Sequence, residues 1–75
     1  MNQETLRTKL HNGQNVYIFD EYEDAVIKLV PTDAYTKVFI KRANGKEKEM
    51  PGSNETIADI MLNGEEIEES FYYDF

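Results

Sequence analysis

Apolar positions along the chain fall into short clusters whose spacing changes from one to the next. Leu6 and Leu10 stand four residues apart with Gly13 just beyond, which predicts a short helix from about Asn2 to His11 closed by a C-terminal glycine. Asn15 to Asp20 (NVYIFD) and Ala25 to Val30 (AVIKLV) are dense in β-branched and aromatic residues, the types that pack well on a pleated surface, and predict two strands. Glu21 to Asp24 then reads as the hairpin turn between them, and Pro31 with Asp33 closes the second strand.

A second hairpin is predicted from Tyr35 to Met50, where YTKVFIKR and KEKEM flank Asn44-Gly45, the dipeptide favoured in two-residue type I′ turns. Such a turn would pair Arg42 with Glu47 and Ile40 with Glu49 on one side, and Lys41 with Lys48 and Phe39 with Met50 on the other. Neither side is uniformly apolar near the turn, so its tip is expected to project into water. After Pro51-Gly52, Ser53 is expected to cap a helix from about Asn54 to Leu62, with Ile57, Ile60 and Met61 as its apolar stripe and Asn63-Gly64 as its end. The tail EEIEESFYYDF fits two patterns. Ile67, Phe71 and Phe75 suit a helix, whereas Ile67, Phe71, Tyr73 and Phe75 also sit at the even spacing of a strand, and a strand added to the sheet is the preferred expectation.

These elements predict a single α+β domain over residues 1–75: a small antiparallel β-sheet of three to five strands built around the Asn44-Gly45 hairpin, with two short helices. Its core is expected to draw on Leu6, Leu10, Val16, Ile18, Ile27, Leu29, Val38, Ile40, Ile57, Ile60 and Leu62. A chain of 75 residues buries only about 60% of the surface its unfolded form exposes, so modest stability is expected. With no cysteine, neither a disulfide framework nor a thiolate nucleophile is available, which points to a reducing, cytoplasmic setting. The N-terminal stretch lacks the apolar core of a signal peptide, and no apolar run approaches the roughly 20 residues that span a bilayer, so no membrane association is expected.

Charge changes the picture more than composition does. The net charge is −7, and it is segregated: residues 20–24 (DEYED) hold four acids and no base, residues 54–75 seven acids and no base, and residues 25–53 six bases against three acids. Such a field repels phosphates and steers basic protein surfaces inward. Asp20, Glu21, Glu23, Asp24, Glu65, Glu66, Glu68, Glu69 and Asp74 are therefore candidates for a carboxylate array that competes for lysines and arginines otherwise bound to nucleic acid phosphates. Tyr22, Tyr72 and Tyr73 lie within the same stretches and would serve as aromatic anchors, since burial supplies affinity where charge supplies steering. The competing expectation is that the acids only keep a small protein in solution, and that Phe71 and one tyrosine complete the core.

In size, acidity and clustered carboxylates the chain resembles the small inhibitor proteins that phages and mobile elements carry against host DNA-processing enzymes, among them anti-restriction, anti-CRISPR and uracil-DNA glycosylase inhibitor proteins. The resemblance extends to no diagnostic motif, so it transfers no residue roles. It implies a non-catalytic inhibitor or modulator that needs no cofactor and occupies a basic nucleic-acid-binding site. An alternative of a different class is a structural or assembly module, homodimeric in one version, whose acidity serves only solubility.

Direct nucleic acid binding would have to use Lys37, Lys41, Lys46 and Lys48, with Tyr35 and Phe39 on the face of Lys37 and Lys41. The net charge opposes that reading, and lysines on a hairpin also guard a sheet edge against pairing. Catalytic chemistry finds little purchase: His11 has no nucleophile partner in view, and neither a phosphate-binding glycine loop nor a nucleophile elbow is present. DEYED lacks the alternating ligands and central glycine of a calcium loop, and zinc would need cysteines or a second histidine, so no metal site is expected.

Overall fold

In the computed structural model, which describes residues 3–75, helix α1 (Gln3–His11) leads into strands β1 (Val16–Asp20), β2 (Ala25–Pro31), β3 (Thr36–Arg42) and β4 (Lys48–Met50). Helix α2 (Glu55–Asn63), strand β5 (Glu65–Ile67) and helix α3 (Glu69–Asp74) follow. The strands form one antiparallel sheet in the order β4-β3-β2-β1-β5, giving the α+β fold that the sequence predicts. Among the described residues no helix is long and apolar enough to cross a membrane.

Local chemistry accounts for most element ends. Gly13 adopts φ 77°, and the chain closes α1 with bonds from Gly13 N–H to Leu10 C=O (3.1 Å) and from Gln14 N–H to Lys9 C=O (2.9 Å). Those two bonds define a Schellman motif, whose left-handed position favours glycine. Asn2, the expected first residue of this helix, lies outside the described residues. The β1–β2 turn is organised by Asp20, whose Oδ1 accepts from the amides of Tyr22 (2.8 Å) and Glu23 (3.4 Å). Helix α2 is capped by Asn54 rather than Ser53: the Asn54 side chain accepts from the amides of Thr56 (2.9 Å) and Ile57 (3.3 Å), two donors without intrahelical partners.

The sheet buries both faces. Val16, Ile18, Ile27, Leu29 and Val38 pack under α1 and α2 against Leu6, Ile57 and Ile60, with Leu10, Ile40, Met50 and Met61 at the margin. Ten of the eleven expected core residues join this layer. Leu62 does not: it stands 71% exposed, because the buried stripe of α2 runs through Ile57 and Ile60 and leaves the following turn facing outward. The opposite face holds a second cluster of Tyr17, Val26 and Tyr72, flanked by Phe19, Ile67 and Phe75 and roofed by α3. The tail thus divides between both patterns it fits. Glu65–Ile67 adds a fifth strand beside β1, and Glu69–Asp74 turns into a third helix that carries Tyr72 onto the sheet.

The β3–β4 hairpin departs from expectation by one residue. Observed partners are Val38 with Met50, Phe39 with Glu49 and Ile40 with Lys48, so Met50 faces the α1/α2 layer instead of pairing with Phe39. The cause lies in the connection. Gly45 N–H donates to Arg42 C=O at 2.9 Å and the positive φ (58°) falls on Asn44, the third position of the turn, where a type II turn requires it. Residues 43–47 form a longer loop, tied at Asn44 N–H to Phe75 C=O (2.8 Å) and drawn at Glu47 toward Lys28.

Between α2 and β5 the single residue Gly64 crosses flat against β1. A Cβ built there would lie 2.6 Å from Ile18 Cγ2, 2.6 Å from Ile60 C=O and 2.9 Å from Phe19 C=O, and since φ is −79° the constraint is space rather than conformation. Gly64→Ala is expected to destabilise the fold by about 2 kcal/mol through overpacking. In urea unfolding the midpoint should fall with an unchanged m-value.

Candidate functional site

Strand β1 decides which acidic residues meet. Its antiparallel pairing of Asp20 with Ala25 places the Glu21–Asp24 turn at one end of the sheet, and its pairing of Phe19 with Glu65 brings the start of β5 to the same end. Phe19, Glu21, Tyr22, Asn63 and Glu65 line one shallow depression there, of about 320 Å³. Asp20, Tyr22, Glu23, Asp59 and Asn63 line a neighbouring one of about 440 Å³. Two stretches more than forty positions apart in sequence thus share one edge, joined by Asp59 of α2, which sequence reasoning left out. Tyr22 protrudes from this edge, 93% exposed. Among the described residues no three carboxylates converge closely enough to hold a metal ion, so the array is dispersed.

The other nominated residues divide by environment. Asp20 is buried as the acceptor that organises the turn, and Tyr72 is completely buried against the sheet, so both have structural roles here. Glu66 points to the α1 side and pairs with Lys9. Glu69 accepts a hydrogen bond from Tyr17 Oη at 3.0 Å, and the Glu23 carboxylate lies 3.9 Å from Arg42. Tyr73 is half exposed, but its hydroxyl accepts from Lys28. Glu68 and Asp74 are exposed beside α3, where Phe71 is 45% exposed rather than in the core as expected. The helix turns Tyr72 inward, and its neighbour Phe71 is carried off that face.

Comparison with known proteins finds no family model, no curated protein and no solved structure that matches the chain.

A second constellation, absent from the sequence reading, surrounds Lys28. The residue is 8% exposed, its Nζ 2.9 and 3.1 Å from the two Glu47 carboxylate oxygens and 3.1 Å from Tyr73 Oη. The ammonium also lies 4.8 Å from the Phe39 ring centre, 5.4 Å from that of Tyr73 and 5.6 Å from that of Tyr72, an aromatic enclosure suited to a cation. Tyr72 Oη donates to Glu47 at 3.0 Å. The lysine interrupting the apolar run AVIKLV was the signal: a cation at the centre of a buried strand requires a partner.

Burial alone would lower the affinity of Lys28 for its proton, but the hydrogen bonds to Glu47 and Tyr73 and the Glu47 charge outweigh it, and its pKa rises. Burial likewise opposes the charge of Glu47, yet the bonds from Lys28 and Tyr72 hold its carboxyl below the ordinary range. Burial, then the Glu47 carboxylate, push the Tyr72 hydroxyl well above its usual value. Burial also raises Tyr17, helped by Glu69 and opposed by Asn15. A lysine held this firmly protonated is neither nucleophile nor base, and the cluster acts as a clasp between sheet, β3–β4 loop and α3. On the same face of β3, Lys41 lies 5.9 Å from the Phe75 ring centre and Phe39 faces Lys28, so two of the groups weighed for base stacking already have partners within the chain.

The shifts carry a sign. Glu47, with its folded value lowered, adds stability that is present above about pH 4.3 and lost as pH falls through the folded value. Lys28 and Tyr72, with folded values raised, add stability that is present below about pH 10 and lost as pH rises. Glu47→Ala is expected to cost about 2 kcal/mol, less than for a fully buried pair because the Glu47 side chain is 36% exposed and solvent-screened. Lys28→Met should cost less, about 1 kcal/mol, since the Glu47 carboxylate it leaves without a cation is partly solvated and keeps the hydrogen bond from Tyr72, whereas Glu47→Ala leaves the more buried ammonium unpaired. Urea titrations of both variants across pH check the order of the two effects and the loss of the acid-side dependence in Glu47→Ala.

Proposed function

We propose that the chain is a non-catalytic, protein-binding inhibitor or modulator whose acidic edge occupies a basic nucleic-acid-binding surface of an enzyme, acting in the cytoplasm. The observation that carries this reading is the placement of Glu21, Glu23, Asp59 and Glu65 along one end of the sheet, in two neighbouring depressions that share the protruding Tyr22. A carboxylate array bordering one exposed aromatic combines long-range steering with a short-range anchor.

Sheet order strengthens the case. The acidic β5 and the lysine-bearing β4 are opposite edges, and five strands at about 4.8 Å spacing set them about 19 Å apart. That separation exceeds the Debye length of about 8 Å at physiological salt, so Lys48 is screened from β5, and the cations beside the acidic residues are Lys9 at Glu66 and Arg42 at Glu23, too few to cancel them. A partner approaching from the β1–β5 side meets a negative field. Exposed Leu62 and Phe71 favour the second reading, an assembly module that uses apolar contact between copies.

A nuclease-treated pull-down from host lysate, eluted by a salt gradient, separates the two. The proposed function predicts capture of a nucleic-acid-processing enzyme, released as salt rises. The quadruple change of Glu21, Glu23, Asp59 and Glu65 to the corresponding amides should weaken that capture by about tenfold or more and flatten its salt dependence. Recovery of only the chain itself, indifferent to salt and to the amide changes, would reject the inhibitor reading in favour of assembly.

A further inference from the structure

The outer side of α3 carries a groove of about 560 Å³ lined by Ile67, Glu68, Ser70, Phe71, Asp74 and Phe75. Its apolar wall is built from rings already in contact. Phe19 meets Phe71 and Phe75 at 5.5 Å each, and Phe71 lies stacked 6.1 Å from Phe75. Packing uses only part of Phe71: Tyr72 supplies the buried anchor of α3, while Phe71 meets Phe19 and Phe75 yet leaves 45% of its surface in water. Two carboxylates, Glu68 and Asp74, flank the rings, and the lining contains no cation. Lys41 approaches Phe75 from β3 at 5.9 Å, so this ring cluster already receives one ammonium group.

We infer that this groove seats an apolar side chain from a lysine- or arginine-rich segment of the partner protein, with Glu68 and Asp74 receiving the flanking cations. The assignment deepens the protein-binding reading and rests on it, adding an anchor site on the α3 side of the acidic edge. Charge complementarity selects the occupant. A neutral or acidic segment would leave two carboxylates beside the contact without partners, whereas a basic segment satisfies them, and the exposed Phe71 face offers it apolar and cation–π contact together. A preformed wall of Phe71 and Phe75, backed by Phe19, loses little conformational freedom on binding, which suits it to an anchor.

The test titrates the isotope-labelled full chain with a short synthetic peptide of lysines and arginines around a central leucine, followed by amide chemical shifts. A control peptide has alanine in place of the leucine. The expected result is a set of shifts centred on Ile67, Ser70, Phe71 and Phe75, with the alanine peptide bound about tenfold more weakly. Ser70→Trp, which fills the groove from an exposed position without removing a core group, should abolish the leucine preference, and Phe71→Ala should reduce it. Equal binding of the two peptides, or shifts confined to the Tyr22 edge, would overturn the inference. The same Ser70→Trp chain in the pull-down distinguishes the levels. Loss of enzyme capture supports the groove as an anchor. Undiminished capture that still depends on Glu21, Glu23, Asp59 and Glu65 overturns the groove while leaving the proposed function standing.

Discussion

An ammonium group taken out of water on a central strand is the constraint around which the α3 side of this protein is arranged. Lys28 sits between Val26 and Val30 on β2, where an isolated charge would be strongly unfavourable. Its partners come from distant parts of the chain: Glu47 from the β3–β4 loop, Phe39 from β3, and Tyr72 and Tyr73 from α3. Satisfying the charge requires the loop to bend inward and α3 to lie across the sheet. The one-residue change in hairpin pairing and the helical end of the tail both accompany this arrangement.

The clasp has a consequence for the surface. Once Tyr72 is fixed inward with its hydroxyl on Glu47, the orientation of the six-residue α3 is set, and Phe71 is carried to the outside. So short a helix has little intrinsic stability and depends on tertiary packing. The ring contacts among Phe19, Phe71 and Phe75 complete that packing from the β1 side. The buried cation and the exposed aromatic groove are thus two sides of one short helix, which the ion pair beneath ties to the sheet through Tyr72 and Tyr73.

Legibility in the sequence followed the range of the interactions involved. The Gly13 helix stop, the strands beginning near Val16 and Ala25, the Glu21–Asp24 turn and the apolar stripe of α2 all rest on contacts within a few residues, and each appears where the pattern placed it. The α2 cap moved by one residue, from Ser53 to Asn54, because both side chains are competent caps and only the helix register chooses between them. The acidic segments were legible as charge, but their spatial meeting was not. It depends on β5 pairing with β1, and three residues of strand leave too faint a periodicity to read.

The amino-acid sequence by itself determined the α+β class, the two-hairpin framework, the α1/α2 core layer and the bipolar charge, since hydrophobic period, turn chemistry and net charge are properties of local stretches. Tertiary structure alone decided which carboxylates share an edge, which aromatic residues are buried, and that Asp20 and Tyr72 are structural while Tyr22 and Phe71 face water. The physical reason is that alternation along a strand says which residues share a face but not what covers it. Here one face is covered by two helices predicted from their stripes, and the other by a helix whose position depends on a buried lysine and its distant glutamate.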